Sequence, residues 1–259
     1  MNPLKSDDVD QRYRAPALDK GLDIIELLAN QPAGMTRGEI VKAMGRGPSE
    51  IYRMIERLVA RDYISRSSEG DRYALTMKLF HLGSTYPPIR RLIAQAQPLM
   101  NDFANTCQQS VHLVVPDLGQ TYVVAQASSR SPWEFRLRIG AELDLLTTSS
   151  GQTLLAFQDE AQAAQMLNLR GETQRAISAE LSRELARIRT DGHRISSSQQ
   201  LVGVTDISVP VRSPSGSASA VLTCPYLPHV DADAKGLASM SVKAALQLLL
   251  HAAERISIS

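Results

Sequence analysis

The chain has 259 residues, with 28 basic against 27 acidic side chains, a formal net charge of +1, 43% hydrophobic and 21% charged residues. That apolar content is too high for a mainly disordered chain, and the charge is too balanced for a polybasic binder acting through bulk electrostatics. The length suits one to two domains.

No apolar run approaches the ~18–20 residues of a membrane-spanning helix, and the polar N-terminus is not a secretory signal. The expectation is a cytoplasmic protein without a membrane partner. Cys107 and Cys224 are the only cysteines, too few for a disulfide framework or a zinc cluster.

Residues 1–14 read as a loose arm. From Leu18, apolar residues at three- and four-residue spacing predict a helix through Leu28, stopped by Pro32 and Gly34. Thr36-Arg37-Gly38-Glu39 reads as a capping box opening a short helix that Gly45 ends. Pro48 and Ser49 suit a third helix start, with Ile51, Ile55, Leu58 and Val59 as its buried stripe. Tyr63–Arg66 and Arg72–Leu75, around a turn-rich tip, predict a β-hairpin. Residues 76–106 read as mostly helical, interrupted at Pro87-Pro88.

Beyond that the pattern changes. Val111, Leu113 and Val115 alternate with other residues, 122–125 is strand-like, and Phe135, Leu137 and Ile139 alternate with polar neighbours as a strand would. Helices are expected from about Thr148 to Phe157, from Ser178 to Asp191 and from Asp231 to Arg255. Ile207–Val211 and Ala218–Thr223 flank a Ser-Pro-Ser-Gly turn and predict an antiparallel pair.

Three short helices followed by a hairpin are the layout of a winged helix-turn-helix, whose third helix fits the major groove. Ser49, Glu50, Tyr52 and Arg53 then lie on the outward side of that helix, and Arg66 and Arg72 flank the wing tip. Thr36, Arg37 and Arg57 complete the candidate DNA-contacting set. From Arg37 to Arg72 there are eight basic and six acidic side chains, so binding requires the charges to be sorted in space. The competing reading is a protein-interaction module.

The order of residues resembles the IclR-type bacterial transcriptional regulators. Ala17–Leu28 is similar to the opening helix of that family, and Thr36–Met44 to its second. Ser49-Glu50-Ile51-Tyr52-Arg53-Met54-Ile55 is similar to its recognition pattern S-T-V-H-R-L-L. Asp62-Tyr63-Ile64, Tyr73-Ala74-Leu75 and His81-Leu82-Gly83 are similar to the wing strands and the segment after them. Glu50 departs from the family's small hydroxyl residue. A carboxylate repels phosphate but can accept from cytosine N4, so Glu50 is expected either to read a base or to turn aside.

The resemblance continues, more weakly, through Arg138-Ile139-Gly140, Thr148–Ala156, Asp191–Arg194, Ser208–Val211 and Gly216–Thr223, covering about residues 15–255. It implies an α+β fold class: an N-terminal winged helix-turn-helix joined by a helical linker to a GAF-like α/β effector-binding domain. The corresponding domains are an arm (1–14), a DNA-binding domain (15–82), a linker helix (83–100) and an effector domain (101–259).

Thr148, Ser149, Ser150, Gly151 and Gln152 lie at a helix start, where free N–H groups can hold an anion; the same residues can equally be a cap. Thr223 adds a hydroxyl, and Leu137, Ile207 or Trp133 an apolar wall. Asp206 stands where the family often has cysteine, Asp144 where it has proline, Gln199 where glutamate is common, and Gln152 where it has lysine. If residue 152 faces the site, losing that lysine disfavours a strongly anionic ligand.

The resemblance implies a regulator of a palindromic double-stranded operator, controlled by a small organic effector, a carboxylate among the options. It further implies a homodimer or dimer of dimers, and no cofactor. An enzyme is the weaker alternative, because the histidines show no metal-ligand spacing and there is no G-x-S-x-G or P-loop. A redox sensor is a minor one, with Cys224 able to border the pocket.

Overall fold

The computed structural model describes residues 15–68, 70–129, 135–169, 177–228 and 240–257. The expectations for the 1–14 arm, for Trp133 and for the start of the last helix at Asp231 lie outside them. The described chain forms two compact units that divide between Pro87 and Pro88.

The first unit begins with α1 (Pro16–Ala29), which has proline in its first turn, where no N–H partner is lost. A two-residue strand β1 (Met35–Thr36) leads into α2 (Arg37–Met44). The capping box is present: Thr36 Oγ1 accepts from the Glu39 amide at 3.2 Å, and the Glu39 carboxylate accepts from the Thr36 amide at 2.7 Å. Helix α3 (Pro48–Ala60) follows, then β2 (Ile64–Arg66), β3 (Arg72–Leu75) and α4 (Lys78–Thr85).

The three strands pair in the order β1-β3-β2, so the wing also holds the strand ahead of α2. Gly34 makes that possible. A Cβ there would lie 2.5 Å from the Tyr73 carbonyl, and its φ is +64°. Ile24, Leu28, Ile40, Ile51, Ile55, Ile64 and Tyr73 form one buried core. Helix α4 buries no residue, and Phe80 and Leu82 stand exposed on it, as do Leu18 and Leu22 on α1.

The second unit opens with α5 (Pro87–Cys107), whose Ala96, Met100, Phe103, Ala104 and Cys107 are buried. Among the described residues, six antiparallel strands form its sheet: β4 (Val111–Asp117), β5 (Gln120–Ala127), β6 (Glu142–Leu143), β7 (Arg194–Ser197), β8 (Thr205–Arg212) and β9 (Ala218–Tyr226), in the order β6-β5-β4-β9-β8-β7. Helices α6 (Ser149–Ala156), α7 (Glu160–Leu169), α8 (Ala179–Asp191) and α9 (Val242–Ser257) complete it.

Alternation sorts the strands onto two faces. Val111, Leu113, Ile207, Val209, Leu222 and Cys224 pack with α5 and α9. Val114, Val123 and Val221 pack with α6 and α8. A bulge between Leu113 and Val114 shifts the β4–β5 register there, so Ala125 and Val123 join opposite cores. With both faces covered, the intervening His112 is buried too.

The expected strand at 135–139 is absent: the described residues there pair in no ladder. Ile139 is exposed, Gly140 takes φ +83°, and a turn runs from Arg138 O to Ala141 N at 3.0 Å. Two backbone bonds tie this turn to Val123 of β5, from the Gly140 amide at 2.7 Å and to the Ala141 carbonyl at 3.0 Å, and ladder pairing with β5 begins only at Glu142. Ile207 lies in the α5/α9 core and is no wall of a site on the α6 face. Cys224 lies there as well, which removes it from the pocket border.

Candidate functional site

In the first unit, α3 presents the candidate interface. Ile51 and Ile55 face the core, so Ser49, Arg53, Glu56 and Arg57 point the other way at 100° per residue. All four are exposed. Gly47 precedes the helix and offers no side-chain cap. Pro48 has no N–H, and the Glu50 and Ile51 amides donate to the Gly47 carbonyl at 3.2 and 3.3 Å, so the Ser49 amide is the first-turn donor left for an anion.

The remaining candidates are engaged within the unit. Arg37 donates to Tyr73 Oη at 2.7 Å and pairs with Glu56, with its guanidinium 5.3 Å from the Tyr52 ring centroid. Thr36 is spent on the cap. Glu50 turns toward α1 and accepts from Lys20 Nζ at 2.8 Å. That bond holds its carboxyl below the usual range. Arg66 donates to the Gly70 carbonyl at 2.6 Å, inside the wing. Arg72 turns away from the tip and donates to the Ala33 and Gly34 carbonyls at 3.0 and 2.9 Å. Arg66 and Arg72 both stay exposed.

In the second unit, a cavity open to solvent on one side lies on the α6 face of the sheet. Thr148, Ser149 and Ser150 line it from the start of α6, with Thr223 and Asp206 from β9 and β8. Phe135, Leu137, Leu143 and Pro225 give the apolar wall, and Arg194 and Gln199 the side formed by β7 and the loop after it. Five of the seven sequence candidates thus meet around one space.

Gly151 and Gln152 do not line it. A Cβ on Gly151 would sit 2.5 Å from the Leu145 carbonyl and 2.6 Å from that of Asp144. The glycine serves close approach of helix to loop. Gln152 is buried and donates to the Leu146 carbonyl at 2.6 Å, so the absence of lysine there says nothing about ligand charge. Asp144 builds the same loop: its Oδ1 accepts from the Leu146 and Thr147 amides at 2.9 and 2.8 Å.

Hydroxyls run in a buried row beneath the cavity. Ser149 bonds Ser208 at 2.8 Å, Ser208 bonds Thr223 at 2.8 Å and Thr223 bonds Ser150 at 2.9 Å, with His112 Nε2 3.4 Å from Ser150. Thr148 caps α6, accepting from the Gly151 amide at 3.1 Å. A hydroxyl carries one donor and two acceptor sites, so the row can turn toward a ligand without losing every internal bond.

Arg194, Ser208 and His112 escaped the sequence reading. Arg194 is only 8% exposed. Its Nε donates to Glu184 at 3.2 Å, and it also bonds Ser196. Burial lowers its pKa, and Glu184 and Asp206 oppose that. Burial likewise raises the Asp206 carboxyl, countered by Ser198 and Arg194. The available signal was Arg194 two residues past the helix-ending Gly192, where a strand start aims it back at the sheet.

Burial pushes His112 down to about 4, so the ring is neutral at pH 7. Between an unfolded value near 6.5 and about 4, the unfolded chain takes up the proton that the folded chain refuses. Stability from this group is therefore complete above about pH 6.5 and declines as pH falls toward 4. The denaturation midpoint of the second unit should drop between pH 7.5 and 5.0, and His112→Asn should flatten that drop. An unchanged drop in the variant would remove His112 as its cause.

The cysteines are poor nucleophiles. Burial raises Cys107 to about 11 and Cys224 well above the ordinary thiol. Among the described residues no group of three metal-ligating side chains forms, and no helix is long and apolar enough to cross a membrane.

Comparison with known proteins matches residues 88–258 to the model for the bacterial transcriptional regulator IclR C-terminal domain, and residues 17–68 to the IclR helix-turn-helix domain. The HTH-type transcriptional regulator BhcR of Paracoccus denitrificans (strain Pd 1222) is 24% identical over 246 residues, 92% of this chain and 88% of that protein. The regulator KdgR of Escherichia coli (strain K12) is 26% identical over 178 residues, 67% of this chain and 68% of its own. Among solved structures, an IclR homolog from Microbacterium hydrocarbonoxydans, complexed with 4-hydroxybenzoate, superposes with a TM-score of 0.72 at 20% identity, covering 93% of this chain and 98% of that one. BhcR and KdgR are both HTH-type transcriptional regulators by name.

Proposed function

Because the chain belongs to the IclR family of bacterial transcriptional regulators, we propose that it binds a double-stranded operator through α3 and its wing, and that a small organic molecule in the cavity sets its affinity. The observation that supports the ligand half is that Arg194, 8% exposed, lines the same cavity as the hydroxyls at the start of α6 and the apolar wall. A guanidinium fork and free helix N–H groups both suit a carboxylate. Phe135, Leu137, Leu143 and Pro225 suit its hydrocarbon part. The 4-hydroxybenzoate held by the Microbacterium protein is a ligand of that chemistry and supports the reading.

On the DNA side, Ser49 and Arg53 contact base edges, with the Arg53 fork suited to guanine. Arg57, Arg66 and Arg72 contact phosphates, the last two once they exchange their carbonyl partners for the backbone of DNA. Arg37, Tyr52 and Thr36 act indirectly, by fixing α2 and the wing against α3. The exposed apolar side chains of α1 and α4 favour a homodimer or a dimer of dimers acting in the cytoplasm on a palindromic site, since such surface is costly to leave in water. Effector control requires a coupling of about 1–3 kcal/mol between sites.

The test is selection of genomic fragments on the purified protein at two salt concentrations. A short palindrome that survives the higher salt supports the reading. Uniform, salt-labile enrichment means phosphate attraction only and overturns it.

A further inference from the structure

Glu50 is an acid on the helix offered to an anionic partner. It sits in the first turn of α3, and its side chain is 49% exposed. Lys20 reaches it from α1 and takes one carboxylate oxygen, Oε2, at 2.8 Å; the Lys20 side chain is only 16% exposed. An acid in a first helical turn is stabilised by the helix dipole alone. The dipole does not account for a covered lysine from thirty residues away. That lysine does two further things. It offsets the charge that would repel phosphates, and it fixes the direction of the carboxylate.

The major groove offers a carboxylate two amino groups, cytosine N4 and adenine N6. Adenine sets its N7 acceptor beside N6, where it opposes the second carboxylate oxygen; cytosine has no acceptor on that edge. Arg46 and Arg53 lie close enough to act on the Glu50 charge and keep the surrounding surface attractive to DNA.

We infer that Glu50 reads a cytosine in each operator half-site, with Lys20 as the residue that positions it. This rests on the DNA-binding reading above.

The experiment is selection from a random duplex library with full-length wild type, Glu50→Gln, Glu50→Ala and Lys20→Met. Wild type should return a motif with cytosine at one position of each half-site. Glu50→Gln should exchange that cytosine for adenine, because an amide donates to N7 while accepting from N6. Glu50→Ala should leave the position without preference and lower affinity for the wild-type site about tenfold. Lys20→Met should weaken discrimination at that position alone. A purely structural Glu50 would lower affinity for all sequences alike and leave the motif intact. One motif shared by all four proteins therefore overturns the inference while the regulator reading stands. A wild type with no motif overturns both.

Discussion

Gly151→Ala destabilises the second unit by about 3 kcal/mol, the upper range for inserting one methyl into packed surroundings. The new Cβ would meet the Leu145 carbonyl at 2.5 Å and the Asp144 carbonyl at 2.6 Å. Both are backbone, so neither can swing aside as a side chain would. The loop they belong to is itself pinned, by Asp144 to the Leu146 and Thr147 amides and by Gln152 to the Leu146 carbonyl. Relief must come from moving α6 off the sheet, which breaks the Ser149–Ser208 and Ser150–Thr223 bonds. Amide hydrogen exchange checks this. Peptides from the second unit should lose protection, and those from residues 15–68 should keep it. Protection equal to wild type in the second unit would contradict the prediction.

Arg53→Ala weakens operator binding by about 1–3 kcal/mol, roughly 5- to 150-fold. Arg53 points away from Ile51 and Ile55 on a helix whose buried stripe is complete without it. Its loss should change the stability of the first unit by no more than about 0.5 kcal/mol, so a binding defect cannot be ascribed to unfolding. Titration at several salt concentrations separates two contacts. A base contact loses sequence discrimination at one position. A phosphate contact keeps discrimination and lowers the salt slope by about one. Unaltered affinity would remove Arg53 from the interface.

The elements that are legible in the sequence are those whose determinants are local. The capping box at Thr36–Glu39, the Pro48 start of α3 and the Ser178 and Gly192 bounds of α8 are written in neighbouring residues, and each is found. The α6 start was legible for the same reason, with Thr148 as its cap. Pairing partners and facing were not. The strand expected at 135–139 follows a period-two pattern, but the turn at Gly140 gives it no neighbour to pair with. Gly151 and Gln152 share a helix start with Ser149 and Ser150, yet helical rotation sends them into the loop at 144–146 while the serines face the sheet.

Arg194 and His112 show the same limit from the other side. Each looks ordinary in its own stretch. Their places follow from β7 and β4 having even-numbered residues on the α6 face, and from a helix covering that face. The Arg37–Glu56 and Lys20–Glu50 pairs join residues 19 and 30 apart, and no short-range pattern announces them. Charge sorting in the first unit was therefore a requirement that the sequence could state but not resolve.

In the proposed regulator, occupancy of the cavity controls binding to the operator. The most direct measurement is the dissociation constant of the selected operator with wild type and Arg194→Met, with and without the low-molecular-mass fraction of cell extract. The fraction should shift the wild-type constant at least about fivefold, the lower end of ordinary allosteric coupling, while the variant binds the operator but does not respond. A shift of equal size in both proteins, or none in the wild type, would contradict it.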